Sequence, residues 1–299
     1  MTVVAVLAIS DGAVGAAAPP LVQDCDRLAA HPLDAQSVGP GIPYNSINAP
    51  RAIAACLTAR ANYPDAPRFV YQHGRAMLRA GDDKGARAAF KRAGAKAYAQ
   101  AWLSLGQMAP SGPKPDVSAA ARHTGRGRVL LEGLANSGNI RAAHVLGLLL
   151  LTSKAIPHEP KAAYRWIRRA ARANHAPALV ALARMQHRGI GTRANPFKAE
   201  KSYLKAISLG QTGLHGELGG LYRKGGRLKK AEAAFMTALP AFDDGERKGS
   251  RTLARILAQL GNVQVRQRRF AEAVVSLERA LAVVEGNTAL ARSIFALAI

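Results

Sequence analysis

A short spacing recurs along this chain and restricts what the chain can fold into. An apolar side chain is followed four positions later by a large one, and a glycine comes directly after it. In one copy alanine replaces the glycine, and in another histidine is the large residue. The copies are Phe69–His73–Gly74, Ala101–Leu105–Gly106, Ala142–Leu146–Gly147, Ala178–Leu182–Ala183, Leu214–Leu218–Gly219 and Ile256–Leu260–Gly261. Such self-similarity indicates a repeat architecture.

A second pattern follows these copies. It consists of a small residue, a large one four positions later, and alanine three positions after that. The matches are Ala86/Phe90/Ala93, Ala163/Ile167/Ala170, Ala199/Tyr203/Ala206, Ala231/Phe235/Ala238 and Ala273/Leu277/Ala280. Positions i, i+4 and i+7 lie on one face of an α-helix, so each triplet is a packing face. The two patterns therefore predict the first and second helices of successive helix pairs.

The distance between the two patterns takes only two values. From the first-helix glycine to the second-helix alanine it is 12 residues for Gly74, Gly219 and Gly261, and it is 16 from Gly147 and from Ala183. Two lengths of inter-helix link are therefore predicted.

The pair that begins at Trp102 fits this frame least well. Its link, 110–115, is rich in proline and glycine, and its second face is occupied by Gly127/Leu131/Leu134. An irregular helical bundle with accidental periodicity is the alternative for the whole chain, but five matches in phase favour true repeats.

The two classes of link resemble two related repeat families. The 12-residue class is similar to tetratricopeptide repeats, and the 16-residue class resembles Sel-one-like repeats with their glycine-rich inter-helix loop and their second helix. The segments that carry the resemblance are 80–82 and 225–227 for the first class, and 188–191, 195–196, 162–171 and 198–206 for the second. It covers about residues 64–285. The resemblance implies an all-α fold, a right-handed α-solenoid of antiparallel helix pairs.

The N-terminal part resembles a leader found in exported bacterial Sel-one-like proteins. The segments that carry this resemblance are 25–30, 41–43, 52–56 and 68–72. Because the end of a solenoid must be covered, we expect this part to lie over the first helix pair. The expected organisation is a signal peptide over 1–18, an N-terminal cap with the cysteine pair over 19–63, helix-pair repeats over 64–239, a linker over 240–251, and a last repeat with a C-terminal capping helix over 252–299.

The first eighteen residues resemble a secretory signal peptide. An apolar stretch from Val3 to Ile9 is followed by small residues, and Ala16-Ala17-Ala18 offers a cleavage site before Pro19. No Lys or Arg precedes the stretch and Asp11 follows it, so a flexible apolar N-terminus on a cytoplasmic protein is the alternative. No later apolar run is long enough to span a membrane. We expect a periplasmic or secreted protein.

Two cysteines, Cys25 and Cys56, lie early in the chain. An even number of cysteines in an exported chain predicts one disulfide. Two buried free thiols are the alternative. A metal site is not expected, because these cysteines lack the paired spacing of zinc ligands.

The chain carries a formal net charge of +23. A field of this sign favours anionic partners, such as acidic proteins, anionic lipid head groups or nucleic acid. In tandem helix pairs the first helices line a concave surface, at positions three and six before the glycine and one and four after it. The arginines at these positions are Arg68, Arg75, Arg141, Arg184, Arg223 and Arg255, and Tyr71, His144 and His187 share the surface. We predict a groove in which these arginines bind carboxylates or phosphates by bidentate hydrogen bonds. The alternative is that they are ordinary surface arginines on a basic protein.

No catalytic motif in the sequence is persuasive, and no cofactor is expected. The chain lacks H-E-x-x-H, paired C-x-x-C and G-x-S-x-G patterns. The glycine-rich segment 219–227 lies where a repeat turn belongs, and His158-Glu159 precedes a proline in an inter-helix loop.

The sequence therefore predicts a non-catalytic scaffold that binds a protein or peptide, with an acidic partner favoured by the charge. An envelope hydrolase that uses the groove as a substrate cleft is one alternative. A cytoplasmic nucleic-acid-binding repeat protein is the other. It is disfavoured because Tyr71 is the only aromatic residue at a predicted inward position.

Overall fold

The computed structural model describes residues 22–110, 115–242 and 251–284, and within them the regular structure is helical, with no strand. The chain divides into two compact units, unit 1 up to Leu130 and unit 2 from Leu131. The helices are α1 Asp24–Ala29, α2 Ala49–Asn62, α3 Pro67–Arg79, α4 Asp83–Ala95, α5 Ala99–Met108, α6 Val117–Asn136, α7 Ile140–Thr152, α8 Pro160–Arg172, α9 Ala176–Arg188, α10 Pro196–Ser208, α11 His215–Lys224, α12 Leu228–Ala238, α13 Arg251–Arg266 and α14 Phe270–Val283. The all-α fold of paired helices is confirmed.

The two predicted link lengths are both present. Three residues join α3 to α4, α11 to α12 and α13 to α14, whereas seven residues join α7 to α8 and α9 to α10. Local signals set where several helices begin. The Asp82 and Asn195 side chains accept hydrogen bonds from backbone N–H groups in the first turns of α4 and α10. Pro67 opens α3, a position that does not need a backbone donor.

The first-helix glycine and the large second-helix residue of a pair pack directly against each other. A Cβ on Gly74 would meet the Phe90 ring at 2.7 Å, and a Cβ on Gly219 would meet the Phe235 ring at 2.5 Å. Both phenylalanines are fully buried. The repeated glycine is therefore required because the partner's side chain occupies the space of its missing Cβ.

The pair of α5 and α6 has a different register from the one predicted. A Cβ on Gly106 would lie 2.3 Å from Oγ1 of Thr124, which is buried, and not against Leu131. The packing triplet is therefore Ala120/Thr124/Gly127, and the assignment of Gly127/Leu131/Leu134 was wrong. Threonine was overlooked because the pattern demanded a large side chain at that position.

Cys25 on α1 and Cys56 on α2 form a disulfide, as predicted. Both cysteines belong to a buried apolar cluster that also contains Ile47 and Phe69. The cluster packs residues 22–63, called here the N-terminal block, against the first helix of the first pair.

Three predicted segments fall wholly or partly outside the described residues. They are the signal peptide over 1–18, most of the linker over 240–251, and the capping helix at the end of 252–299. The predicted domain boundaries stay predictions. Within the described residues no helix is long and apolar enough to cross a membrane.

Candidate functional site

The inward positions of α3 lie under the N-terminal block. Arg75 is buried, and its guanidinium donates hydrogen bonds to the carbonyl oxygens of Ala29 (2.8 Å), Ala30 (2.5 Å) and Ile42 (3.2 Å). These carbonyl groups belong to the block, so Arg75 ties the block to α3. The sequence placed Arg75 on an open groove, and it could not show that another part of the chain covers this position.

Arg68 and Tyr71 are covered as well. The Nε atom of Arg68 lies 3.5 Å from Oδ1 of Asp26, a buried carboxylate of the block. The fully buried Tyr71 ring packs between the rings of Phe90 and Tyr98, with centroids 5.4 and 5.3 Å away. The prediction that Tyr71 is a groove aromatic open to solvent is therefore wrong.

The block does not fill all the space in front of α3. A cavity of about 340 Å³ remains, lined by Tyr71 and Arg75 and by side chains of the block, α4 and α5. Its other polar lining residues include His31, Tyr44, Arg87 and Gln107. This volume is in the range of small-ligand pockets. Repeat spacing could not reveal the cavity, because His31 and Tyr44 lie outside the repeats.

Burial determines the protonation state of His31, the histidine that lines this cavity. Burial, followed by the nearby Arg75 guanidinium, lowers the pKa of His31 to about 4. His31 is therefore neutral at physiological pH. Its Nδ1 accepts a hydrogen bond from the backbone N–H of Leu33 at 3.0 Å. The Tyr44 hydroxyl donates to the carbonyl oxygen of Leu78 at 3.0 Å, which holds the block against the end of α3.

In unit 2 an arginine joins the first helices α9 and α11. Arg184 binds Glu217 with two hydrogen bonds, Nε to Oε2 at 2.9 Å and Nη2 to Oε1 at 2.5 Å. The Tyr203 hydroxyl on α10 donates to Oε2 of Glu217 at 2.7 Å. Burial alone would raise the pKa of Glu217, but these hydrogen bonds hold it below its usual value. Half of the Arg184 side chain remains exposed.

Arg223, at the next predicted inward position, joins α11 to α13. Nη1 of Arg223 donates to Oδ1 of Asn262 at a long 3.4 Å, and the Arg223 carbonyl oxygen accepts a hydrogen bond from Arg266 at 3.1 Å. The Nε atom of Arg223 is buried and has no hydrogen-bond partner within the described part of the chain. Arg223 as a whole is half-buried, so a ligand would have to bind the terminal nitrogens of its guanidinium.

Arg141 lies beside a pair of histidines that connects α7 to the start of α9. The rings of His144 and His175 meet edge to face, with centroids 5.0 Å apart. Burial, followed by His175, lowers the pKa of His144 to about 4. Burial and then the Arg141 charge lower the pKa of His175. His144 is buried and therefore belongs to the packing rather than to an open groove.

Arg255 is exposed on α13, and His187 on α9 is half-buried. With Arg141, Arg184 and Arg223, Arg255 completes what we call the arginine face of unit 2. The four first helices α7, α9, α11 and α13 carry a single carboxylate, Glu217. Since Arg184 and Tyr203 already bind that carboxylate, the surface has an excess of positive charge.

Sequence reasoning missed Glu217 and Asn262, the partners of the arginines. The arginine positions follow from the repeat period, whereas these partners follow from how consecutive first helices meet. Among the described residues no three His, Cys, Asp or Glu side chains are grouped as a metal site would require.

Comparisons with known proteins agree with this architecture. Residues 211–286 match the family model of the tetratricopeptide repeat. In fold the chain is similar to the C-terminal part of a TPR repeat-containing protein from Cytophaga hutchinsonii, with a TM-score of 0.53 and 10% identity over 83% of this chain and 95% of that chain. No curated protein matches the chain.

Two further solved structures are more distant in shape. A Sel1 repeat protein from Oxalobacter formigenes has a TM-score of 0.42 and 18% identity, over 58% of this chain and 69% of that chain. A protective antigen of uropathogenic Escherichia coli with an SLR fold has a TM-score of 0.46 and 15% identity, over 82% of this chain and 63% of that chain. The chain thus spans less than two thirds of that antigen.

Proposed function

We propose that this chain, a protein of tetratricopeptide- and Sel1-like helix-pair repeats, is a non-catalytic scaffold that binds an acidic protein segment along the arginine face of unit 2. Repeat folds of this kind are typical of protein–protein interaction scaffolds. The observation that carries the proposal is the charge of the four first helices. Their one carboxylate, Glu217, is already bound, while an arginine stands on each helix.

The contacts within the protein illustrate the chemistry that a partner would use. Arg184 already holds a carboxylate in bidentate geometry between two helices. Such planar, two-bond recognition is the interaction for which arginine is best suited. An extended segment with spaced Asp or Glu residues would meet Arg223 and Arg255 in the same way. Each exposed contact contributes modestly, so binding depends on several of them.

We place this scaffold in the periplasm or outside the cell. The disulfide between Cys25 and Cys56 supports this location, because disulfides persist in oxidising compartments and are rare in the cytosol. An envelope partner is consistent with it. A free-thiol titration of protein that has been purified from its native compartment and denatured without reduction tests the location, because both cysteines are fully buried. Two titratable thiols would contradict it.

The binding proposal is tested with a fluorescent peptide of about twelve residues that contains spaced glutamates. Replacing Arg141, Arg184 and Arg223 together with serine should weaken binding about 10- to 100-fold and flatten its salt dependence. The matched control replaces Arg165, Arg169 and Arg172, which are exposed on α8, with serine and removes the same charge. Equal weakening by the two triple variants would show that only net charge matters. Absence of binding to the acidic peptide would reject the acidic partner.

The same measurement addresses the nucleic-acid-binding alternative. A labelled single-stranded oligonucleotide that binds more tightly than the peptide, and equally to both variants, would favour nucleic-acid binding. A pull-down from envelope extracts at low and high salt then identifies the natural partner, whose binding should show the same difference between the two variants.

A further inference from the structure

The second helices of unit 2 carry a strongly basic surface that the arginine face does not include. On α8 five cations are exposed, and this helix has no acidic residue. They are Lys161, Arg165, Arg168, Arg169 and Arg172. None of the five forms an ion pair with any residue that the structure describes. Two of them contact aromatic rings instead, Arg168 above Tyr164 at 5.8 Å and Arg169 above Trp166 at 5.6 Å.

The outward side of α10 combines cations with exposed apolar side chains. Lys198, Lys201 and Lys205 are exposed. On the same side Phe197 is 70% exposed and Leu204 is 48% exposed. These residues face away from the buried Ala199/Tyr203/Ala206 triplet, so none of them is needed to pack the helix pair.

The N-terminal ends of α8, α10 and α12 adjoin one another. Gly191, in the link before α10, lies so close to the carbonyl oxygen of Pro160 at the start of α8 that no side chain would fit. Arg227, directly before α12, lies 5.6 Å from the Phe197 ring at the start of α10. The starts of α8, α10 and α12 therefore lie close together, and on α12 the side chains of Lys229, Lys230 and Met236 are exposed.

The carboxylates on these helices do not offset the positive charge. There are two, Glu200 on α10 and Glu232 on α12. Glu200 is bound by Arg227 at 2.6 Å and by the Tyr222 hydroxyl at 2.9 Å. Glu232 is bound by Arg269 at 2.5 Å. Lys230 also lies within electrostatic reach of Glu200, but the exposed lysines and arginines of α8, α10 and α12 far outnumber these two carboxylates.

We propose that the outward sides of α8, α10 and α12, the outer face of unit 2, dock on an anionic lipid bilayer. Lysine and arginine near such a surface are attracted to the negative head groups. The exposed Phe197, Leu204 and Met236 would bury apolar area at the boundary between head groups and acyl chains. A nucleic acid would use the cations but would gain nothing from the leucine and methionine, so the mixed surface favours lipid.

The test is co-sedimentation of the full chain with vesicles of phosphatidylcholine alone or with 30% phosphatidylglycerol. Binding is expected to the anionic vesicles only, and it should weaken as salt rises from 0.1 to 0.5 M. Replacing Arg165, Arg169 and Arg172 together with serine should weaken binding to the anionic vesicles about 100-fold, since each cation contributes roughly a factor of five to the affinity. Replacing Phe197 and Leu204 with serine should weaken it about tenfold without changing the salt dependence.

The matched control is the triple variant of the arginine face, which removes the same charge from the other side of unit 2. Equal weakening of vesicle binding by the two triple variants would overturn the proposal, as would full binding by the variant without Phe197 and Leu204. Tighter binding of duplex DNA, unaffected by the loss of Phe197 and Leu204, would show that the surface serves a nucleic acid. Circular dichroism verifies that each variant is folded, which is expected because every substituted outer-face residue is exposed.

Discussion

The same repeat positions have different roles in the two units. In unit 1, Arg75 lies one residue after the repeat glycine and is buried against three carbonyl oxygens of the N-terminal block. In unit 2, Arg184 occupies the equivalent position after Ala183 and remains half exposed, bound to a single carboxylate. The side chains are identical and their helices are equivalent. The role of an inward arginine is therefore decided by what lies over it.

The covering also decides what each unit is able to bind. The N-terminal block turns the concave side of α3 into a cavity of about 340 Å³ with polar walls, which suits a small ligand or one side chain. The arginine face of unit 2 has no such cover among the described residues, and it suits an extended segment. The Cys25–Cys56 disulfide and the buried Arg75 hold the N-terminal block in place. Variants that remove either one therefore test the comparison between the two units.

Removing the disulfide should have the largest effect. Replacing Cys25 and Cys56 with serine should lower the free energy of unfolding by about 3–4 kcal/mol, because the loop closed by the bond no longer restricts the unfolded chain. We expect the loss in unit 1 alone, and hydrogen exchange measured by mass spectrometry would detect it as faster exchange in α1–α3. Equal acceleration in α9–α14 would contradict the assignment of the block to unit 1.

The two arginine environments should differ strongly in their contribution to stability. Arg75→Ala should destabilise by about 3 kcal/mol, because it leaves the buried carbonyl groups of Ala29 and Ala30 and the part-buried one of Ile42 without their charged donor. Arg255→Ala should cost less than about 0.5 kcal/mol, since Arg255 is exposed on α13. Urea denaturation compares the two variants, and similar losses would mean that the N-terminal block does not cover Arg75 in solution.

Both units should lose stability in mildly acidic solution. Burial lowers the pKa of His31 in unit 1 and of His144 in unit 2 to about 4. The unfolded chain therefore takes up these protons first, and stability is lost as the pH falls from about 6.5 to about 4. Each histidine should cost about 1–2 kcal/mol between pH 7 and pH 5. Urea unfolding of His31→Gln and His144→Gln should show a smaller difference between these pH values than the parent protein does.

The repeat frame could be predicted from the sequence because it depends on short-range spacing. Gly74 with Phe90 and Gly219 with Phe235 were paired correctly, since a fixed spacing within one helix pair determines which residues meet. The register of Thr124 was missed, because a medium-sized residue fills a position at which a large one was expected. The covering of Arg75 was missed for a different reason. It depends on carbonyl groups more than thirty residues away in the N-terminal block, and the spacing of the repeats contains no information about them.

The smallest expected effects concern the three-residue links, whose central residues adopt the same left-handed conformation in the two units. Gly81 and Gly226 stand at the centre of three-residue links in units 1 and 2, with φ of 87° and 71°. Ala97 in unit 1 and Arg268 in unit 2 occupy central link positions with φ of 59° and 63°, although they carry a Cβ. A Cβ makes this left-handed conformation unfavourable, and glycine relieves the strain.

Ala97→Gly and Arg268→Gly should therefore each stabilise the protein by about 0.5–1 kcal/mol, even though glycine also makes the unfolded chain more flexible. The control is Ala233→Gly at an exposed position within α12. There the backbone is helical and glycine should destabilise by about 1 kcal/mol. In thermal unfolding, the midpoint temperature should rise for Ala97→Gly and for Arg268→Gly and should fall for Ala233→Gly. A fall in all three would mean that the two links are not held in the left-handed conformation in solution.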